Sequence, residues 1–446
     1  MSRSRPPRRT APRRQAVAAL CPLLLLAASA ACSGAGPFAV LASSPHEQYR
    51  NGLERAGLHE TALGSDWIRV STQTLAEAVP MPVPFAETGY FPPEEASAVA
   101  YGTELRRGRR LTITVEHEAH PDGRLFVDLF RLGDGLPERV ASVEEGGRAL
   151  LFEVGQDGTY ALRLQPELLR GGRFTVTAQT LASLPFPVPS LAGHGIQSGF
   201  GAGRDAGLRR HEGVDIFASR GVQVTAVSDG VARPGTNALG GTVVWLRGSG
   251  ATFYYAHLNS VAIDGLTRVR AGDVLGHVGN SGNARTTAPH LHFGIYDRGA
   301  IDPAPFIGAD DAAPAPPRGD ANRTGALVRV TASRTPLWAG PAERAPPRTT
   351  LERGAVARVL GLSGRTYRVV LPDGSIGYLA QASVGPADRP LRHERLTREA
   401  ALRQTPSTDG PVVQTLGAGV QVEVVGRFGT YRLLRAPGGR AGWLGT

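Results

Sequence analysis

Short runs in which apolar and polar residues alternate recur along most of this chain. Leu111-Thr112-Ile113-Thr114-Val115 alternates strictly, Leu125 to Leu129 follows, and Tyr160-Ala161-Leu162-Arg163-Leu164 and Phe174-Thr175-Val176 continue the series. A period of two places one side of each run in a core and the other towards water, so these segments read as strands. Clusters such as Gly133-Asp134-Gly135 and Gly155-Gln156-Asp157-Gly158 separate them as turns. One exception comes early. Ser44-Pro45-His46-Glu47 is a capping box with proline at the first helical position, and Tyr49, Leu53 and Ala56 follow at helical spacing. The pattern predicts one short helix and then a mainly β, multi-domain chain. A short helical and Pro-rich region is expected over 33–87 and a β-sandwich over 88–184.

Composition sharpens this picture. With 57 Gly and 34 Pro in 446 residues, the chain is punctuated for many turns. No lysine occurs, and six arginines precede any acidic residue; without those six the formal charge falls from +10 to +4. That mild balance gives no support to nucleic-acid binding. Residues 1–32 have the arrangement of an export signal: a basic start, then an apolar stretch from Ala16 to Ala31 that is too short to span a bilayer, where about 20 residues are needed. Two readings of its end compete. Ala28-Ser29-Ala30 suits ordinary signal cleavage, whereas Ala30-Ala31-Cys32 resembles a lipobox that would make Cys32 a lipid anchor, although Ser29 stands where leucine is usual. Either places the protein in the cell envelope, periplasmic or secreted. With Cys21 and Cys32 both in this segment, no disulfide framework is available to the remainder.

An internal repeat occupies the C-terminal part, after a Pro-rich linker over 311–324. Thr366-Tyr367-Arg368-Val369-Val370 matches Thr430-Tyr431-Arg432-Leu433-Leu434, and Gly377-Tyr378-Leu379 matches Gly442-Trp443-Leu444. The two units, 325–386 and 387–446, resemble bacterial SH3-like modules. The resemblance implies two small barrels that either bind the cell wall or a partner, or act as spacers.

The candidate chemistry lies between the linkers, over 185–310. In Pro289-His290-Leu291-His292-Phe293-Gly294-Ile295 the apolar residues fall on one side of a strand and both histidines on the other. Two imidazoles beside a core need a polar partner, because a buried unpaired polar group costs about 1–3 kcal/mol. His211-Glu212-Gly213-Val214-Asp215 offers a nitrogen and a carboxylate oxygen, donors that suit zinc. Taken alone, that spacing is weak evidence. Phe253-Tyr254-Tyr255-Ala256-His257-Leu258 is a further apolar strand with a histidine near its end. Arg270-Ala271-Gly272-Asp273 and Gly279-Asn280-Ser281-Gly282 suggest turns lining a groove. His117 and His120 read as a solvated turn, and His194 and His277 as ordinary polar positions.

Together these motifs resemble the lysostaphin/LytM-type zinc endopeptidases of bacterial cell walls. The likeness runs from Ile196-Gln197-Ser198-Gly199-Phe200-Gly201 through Arg210-His211-Glu212-Gly213-Val214-Asp215 and Tyr255-Ala256-His257-Leu258 to His290-Leu291-His292-Phe293. It implies a β-rich zinc metallopeptidase domain with a groove. It implies Zn2+ held by His211, Asp215 and His292, with His257 and His290 as catalytic residues that do not ligate the resting metal. The implied activity is hydrolysis of stem or cross-link peptides in peptidoglycan by metal-activated water. Glu212 beside a ligand is not the general base of a His-Glu-x-x-His enzyme, because Asp215 stands where the second histidine would be. Two other readings remain: a non-catalytic envelope protein that binds wall peptides or activates a separate amidase, and a secreted protease of general specificity.

Overall fold

The structure, a computed structural model, describes residues 43–119, 123–191, 193–204, 207–341 and 345–446. The export segment with Cys32, and His120, lie outside the described residues. Among them, strands dominate and three α-helices occur, so the chain is mainly β. No helix among them is long and apolar enough to cross a membrane.

The predicted helix forms over Pro45–Arg55, with Ser44 and Glu47 making the reciprocal capping bonds. A second helix, Ala62–Ala76, was not anticipated. Thr61 caps it, and it buries Trp67, Ser71 and Leu75 at four-residue spacing. The two helices dock on the sheet behind them. Trp67 Nε1 donates to the Pro166 carbonyl at 2.8 Å, and the His46 ring stacks on the Trp67 indole at 4.7 Å.

Two sheets then share one core. Val99–Leu105, Gly158–Pro166 and Leu125–Arg131 form the middle of the first, and Phe85–Phe91, Gly172–Ala182, Arg109–Ala119 and Ala149–Glu153 lie in the second. Leu111, Ile113 and Val115 point inward, as their alternation predicts, against Tyr101, Leu129, Leu162 and Phe174. His117 lies within the strand Arg109–Ala119 opposite Phe174 rather than in a turn, and burial lowers its pKa.

The C-terminal repeats depart from the expected barrels. The first does not close on itself. Its strand Val356–Ser363 pairs with Phe85–Phe91 (Thr88 opposite Leu362, Gly89 opposite Gly361), so its sheet continues into the N-terminal one. At this seam the Arg368 guanidinium donates to the Glu87 carboxylate through Nη2 at 2.8 Å and Nε at 3.0 Å, and the Tyr101 hydroxyl donates to it at 2.6 Å. Both charged groups are buried. Burial disfavours the charge on Arg368, but Glu87 outweighs it and raises the pKa. Arg368→Met should therefore cost about 3–5 kcal/mol by leaving a buried carboxylate unpaired, and Glu87→Leu added to it should restore most of the loss. Urea unfolding of the single and double variants measures this; equal stability of Arg368→Met and wild type would contradict it. The second repeat forms an open six-stranded sheet in which Tyr431–Arg435 pairs with Ala441–Gly445. The matched aromatics Tyr378 and Trp443 are both buried, which accounts for the repeated Gly-aromatic-Leu corner.

Between these parts lies a ten-stranded sheet whose centre is Val214–Phe217, His290–Tyr296, Thr252–Val261 and Gly241–Arg247, in that order. Val214, Ile216, Tyr255, Leu291, Phe293 and Ile295 form its buried side. Burial of each such side chain contributes roughly 1.5–3 kcal/mol, which anchors the register of the opposite, polar side.

Candidate metal centre and catalytic cleft

Register brings the candidate residues together. In the antiparallel pair Val214–Phe217 and His290–Tyr296, Asp215 stands opposite His292 and Phe217 opposite His290. On the other flank, Ala256 stands opposite His292. Residues opposed in this way share a sheet face, so Asp215, His290 and His292 emerge together above the core formed by Leu291 and Phe293. His211 arrives from outside the sheet. Its N–H donates to the Ala202 carbonyl and its own carbonyl accepts from Gly201 N–H, both at 2.8 Å, extending the hairpin Gly203–Arg204 with Arg209–Arg210.

Three donor atoms meet at this point. His211 Nε2 lies 2.9 Å from His292 Nδ1 and 3.0 Å from Asp215 Oδ1, and His292 Nδ1 lies 3.1 Å from the same oxygen. The His211 Nδ1 faces the Gly199 carbonyl at 2.9 Å, and a carbonyl can only accept, so Nδ1 carries the proton. The neutral ring then turns a lone pair from Nε2 towards the carboxylate. A lone pair and an anionic oxygen at 3.0 Å repel unless a proton or a cation lies between them. Two imidazoles and one carboxylate are also a donor set of the kind zinc takes, so these residues fit the metal that the sequence implies. Burial disfavours ionisation of Asp215, yet where protons rather than a cation fill the gap, N–H groups of His211 and His292 directed at it outweigh burial and hold the carboxyl well below its usual range.

Gly213 lets the ligands approach. A Cβ there would lie 2.4 Å from the Phe293 carbonyl oxygen and 2.9 Å from the His292 imidazole. Gly213→Ala should push the His292 ring away and lower zinc affinity by about 10- to 100-fold, the range seen when the support of a ligand is disturbed. Competition with a chelating dye measures this; unchanged affinity would mean that the ring is not held against Gly213.

His257 is placed by a β-bulge. Thr242 pairs with Leu258 but Val244 pairs with Tyr255, so the second strand carries one extra residue between these points. His257 adopts a left-handed backbone, with φ +62°, a conformation costing on the order of 1–3 kcal/mol for a residue other than glycine. The bulge turns its ring to 4.9 Å from that of His290 and 6.0 Å from that of His292. Its Nδ1 donates to the Ser281 carbonyl, and His290 Nδ1 to the Ala288 carbonyl, each at 2.9 Å. In the neutral rings both Nε2 atoms are therefore free lone pairs, and His290 Nε2 sits 4.0 Å from Asp215 Oδ1. Burial, partly offset by the Ser281 bond, lowers the pKa of His257 to about 4, which keeps its ring neutral at physiological pH.

All five residues border one cleft of about 960 Å³. His194 is exposed and His277 bonds Ser260, so both lie apart from the cluster, as expected. Two features of the cleft were not foreseen. Arg204 donates through Nη2 to the Asp215 Oδ2 and, at 2.8 Å, to Ser198 Oγ, which leaves Oδ1 as the carboxylate oxygen in the donor triangle. Trp245, Tyr254 and Tyr296 make an aromatic wall, with ring centroids 4.2 and 5.8 Å from the indole. The alternation of Tyr254 against the buried Tyr255 was the available signal for that wall.

Known proteins share this region. Residues 209–303 match the family described as peptidase family M23. The chain is 39% identical over 139 residues to the L-Ala--D-Glu endopeptidase of Bacillus subtilis (strain 168), covering 28% of this chain and 43% of that protein. It is 37% identical over 106 residues to the glycyl-glycine endopeptidase ALE-1 of Staphylococcus capitis, covering 22% of this chain and 29% of that protein. The chain thus spans less than half the length of these two curated relatives. Among solved structures, the catalytic domain of the antimicrobial peptidase lysostaphin from Staphylococcus simulans is 32% identical, with 26% of this chain and 89% of that chain covered and a TM-score of 0.22. The match to peptidase family M23 spans the donor triangle, the His290–Tyr296 strand and the bulge that carries His257.

Proposed function

We propose that this chain is an exported zinc endopeptidase of the cell envelope that hydrolyses stem or cross-link peptide bonds of peptidoglycan. The observation that carries this reading is the convergence of His211 Nε2, Asp215 Oδ1 and His292 Nδ1 within 3.1 Å of one another at the floor of a cleft. His211, Asp215 and His292 would hold the ion, and three protein donors is the ligand count of catalytic rather than structural zinc sites. Zinc bound there would supply Lewis acidity and would lower the pKa of a water towards neutrality. The protein's own residues do the remainder. His257 and His290, each fixed by its Nδ1 bond to a backbone carbonyl, hold Nε2 lone pairs ready to take the proton of the attacking water. Once protonated, the same atoms can donate to the developing oxyanion or return the proton to the leaving amine. Arg204 holds Asp215 from its outer oxygen, and the aromatic wall narrows access for water. Residues 1–32 serve export, with Cys32 as the anchor where the lipobox reading holds, and the C-terminal repeats either bind the wall or a partner or act as spacers.

Digestion of purified sacculi of known cross-link chemistry, followed by mass analysis, tests this. The expected result is release of muropeptides with one new amino terminus per cut, abolished by a chelator and restored by zinc. Unaltered sacculi, or release insensitive to the chelator, would contradict it.

A further inference from the structure

The cleft is uneven in charge, and this bears on which peptide it takes. Its hairpin side is lined by Arg204, Arg209 and Arg210, against two acidic groups, Glu212 and Asp215. Asp215 is already engaged by Arg204 and by the two histidines. Glu212 belongs to the far wall: its charge adds to burial in pushing the Tyr296 hydroxyl up to about 12. Arg210 differs from its neighbours. It is exposed, borders the cleft one residue before His211, and its guanidinium has no hydrogen bond or ion pair among the described residues. A free guanidinium beside a metal centre has a planar fork of N–H donors suited to a carboxylate, and the bound cation adds to the same positive field. An internal glycine bridge offers such a fork nothing but amides. Peptidoglycan stems do offer a carboxylate: a γ-linked D-Glu carries one on the α-carbon next to its amide nitrogen, and so does diaminopimelate at a cross-link.

We infer that the cleft selects an anionic stem-type peptide over a glycine bridge, with Arg210 holding a carboxylate one carbon from the scissile amide nitrogen. This specificity rests on the endopeptidase reading above. It sorts the chain with one of two substrate types, since the two curated relatives are named for L-Ala--D-Glu and for glycyl-glycine bonds. The aromatic wall of Trp245, Tyr254 and Tyr296 completes the division. The arginines all lie on the hairpin side, and the rings, with Glu212 beside Tyr296, lie on the other, so the peptide's anionic flank faces the hairpin.

The test uses the zinc-loaded protein and four synthetic substrates: a cross-linked stem dimer with free carboxylates, the same dimer amidated at D-Glu alone, the dimer amidated at diaminopimelate alone, and pentaglycine. The free-acid dimer should be cut in preference to pentaglycine. One of the two amidations should raise KM by about 10- to 100-fold with kcat little changed, the range for one charge-assisted hydrogen-bonded contact, and which one does so identifies the carboxylate. Arg210→Gln should raise KM for the free-acid dimer by the same factor and change nothing further for that amidated dimer, while Arg210→Lys should recover part of the loss. Zinc content and circular dichroism of each variant establish that it is folded and loaded. Equal cleavage of acid and amide forms, or preference for pentaglycine, would overturn the assignment of Arg210 and leave the peptidase reading standing. Failure of the loaded protein to cut any of the four would overturn both.

Discussion

His292→Ala is expected to lose zinc and activity together. The ring supplies one of three donor atoms, and its strand partner Asp215 and the His211 ring each lie about 3 Å from its Nδ1. Alanine leaves two donors, which cannot hold zinc against water at ordinary concentrations. Turnover should fall by at least roughly 1,000-fold, because Lewis-acid stabilisation is worth several kcal/mol and each 1.4 kcal/mol is tenfold. Stability should change little by comparison, since the core side of the strand, Leu291 and Phe293, is untouched. Metal analysis after dialysis, run beside muropeptide release, checks both halves. A His292→Ala protein that keeps one zinc and hydrolyses wall peptides would mean that the ligands are wrongly assigned.

His290→Ala is expected to separate the two properties. Its Nε2 lies 4.0 Å from Asp215 Oδ1, outside the donor triangle, while its Nδ1 is fixed on the Ala288 carbonyl. Zinc should remain at one equivalent, and kcat should fall by about 100- to 10,000-fold, the range for a lost general acid–base group. His257→Ala should behave alike, with stability somewhat reduced, because alanine keeps the Cβ and hence the left-handed strain while the Ser281 bond is lost. Loss of zinc in either variant would make that histidine a ligand rather than a proton carrier.

Sequence patterning carried the strand His290–Tyr296 because one-sided burial leaves a strict two-residue period. The same period put His290 and His292 on one face before any contact was known. Asp215 and His292 lie far apart in the chain, and their pairing was read from resemblance, since nothing in either segment encodes the register between two strands. The His257 bulge was invisible for a related reason: an extra residue is defined against a partner strand, and Tyr255-Ala256-His257-Leu258 reads as unbroken. Arg204 was missed because its role depends on a hairpin folding back over Asp215. In the C-terminal part the repeat was legible in Gly377-Tyr378-Leu379 and Gly442-Trp443-Leu444, but closure was not. Whether Val356–Ser363 completes its own barrel or pairs with Phe85–Phe91 depends on a strand some 270 residues away. The helix Ala62–Ala76 was lost among Ser and Thr residues that weaken helical periodicity, although Trp67 and Leu75 mark its buried stripe.

X-ray absorption at the zinc edge of the purified protein reads the donor set of the ion itself. The expected spectrum shows one zinc per chain with nitrogen and oxygen neighbours at about 2.0–2.1 Å, multiple scattering from two imidazoles, and no sulfur shell. Absence of stoichiometric zinc from protein that cleaves sacculi, or a spectrum without imidazole scattering, would contradict it.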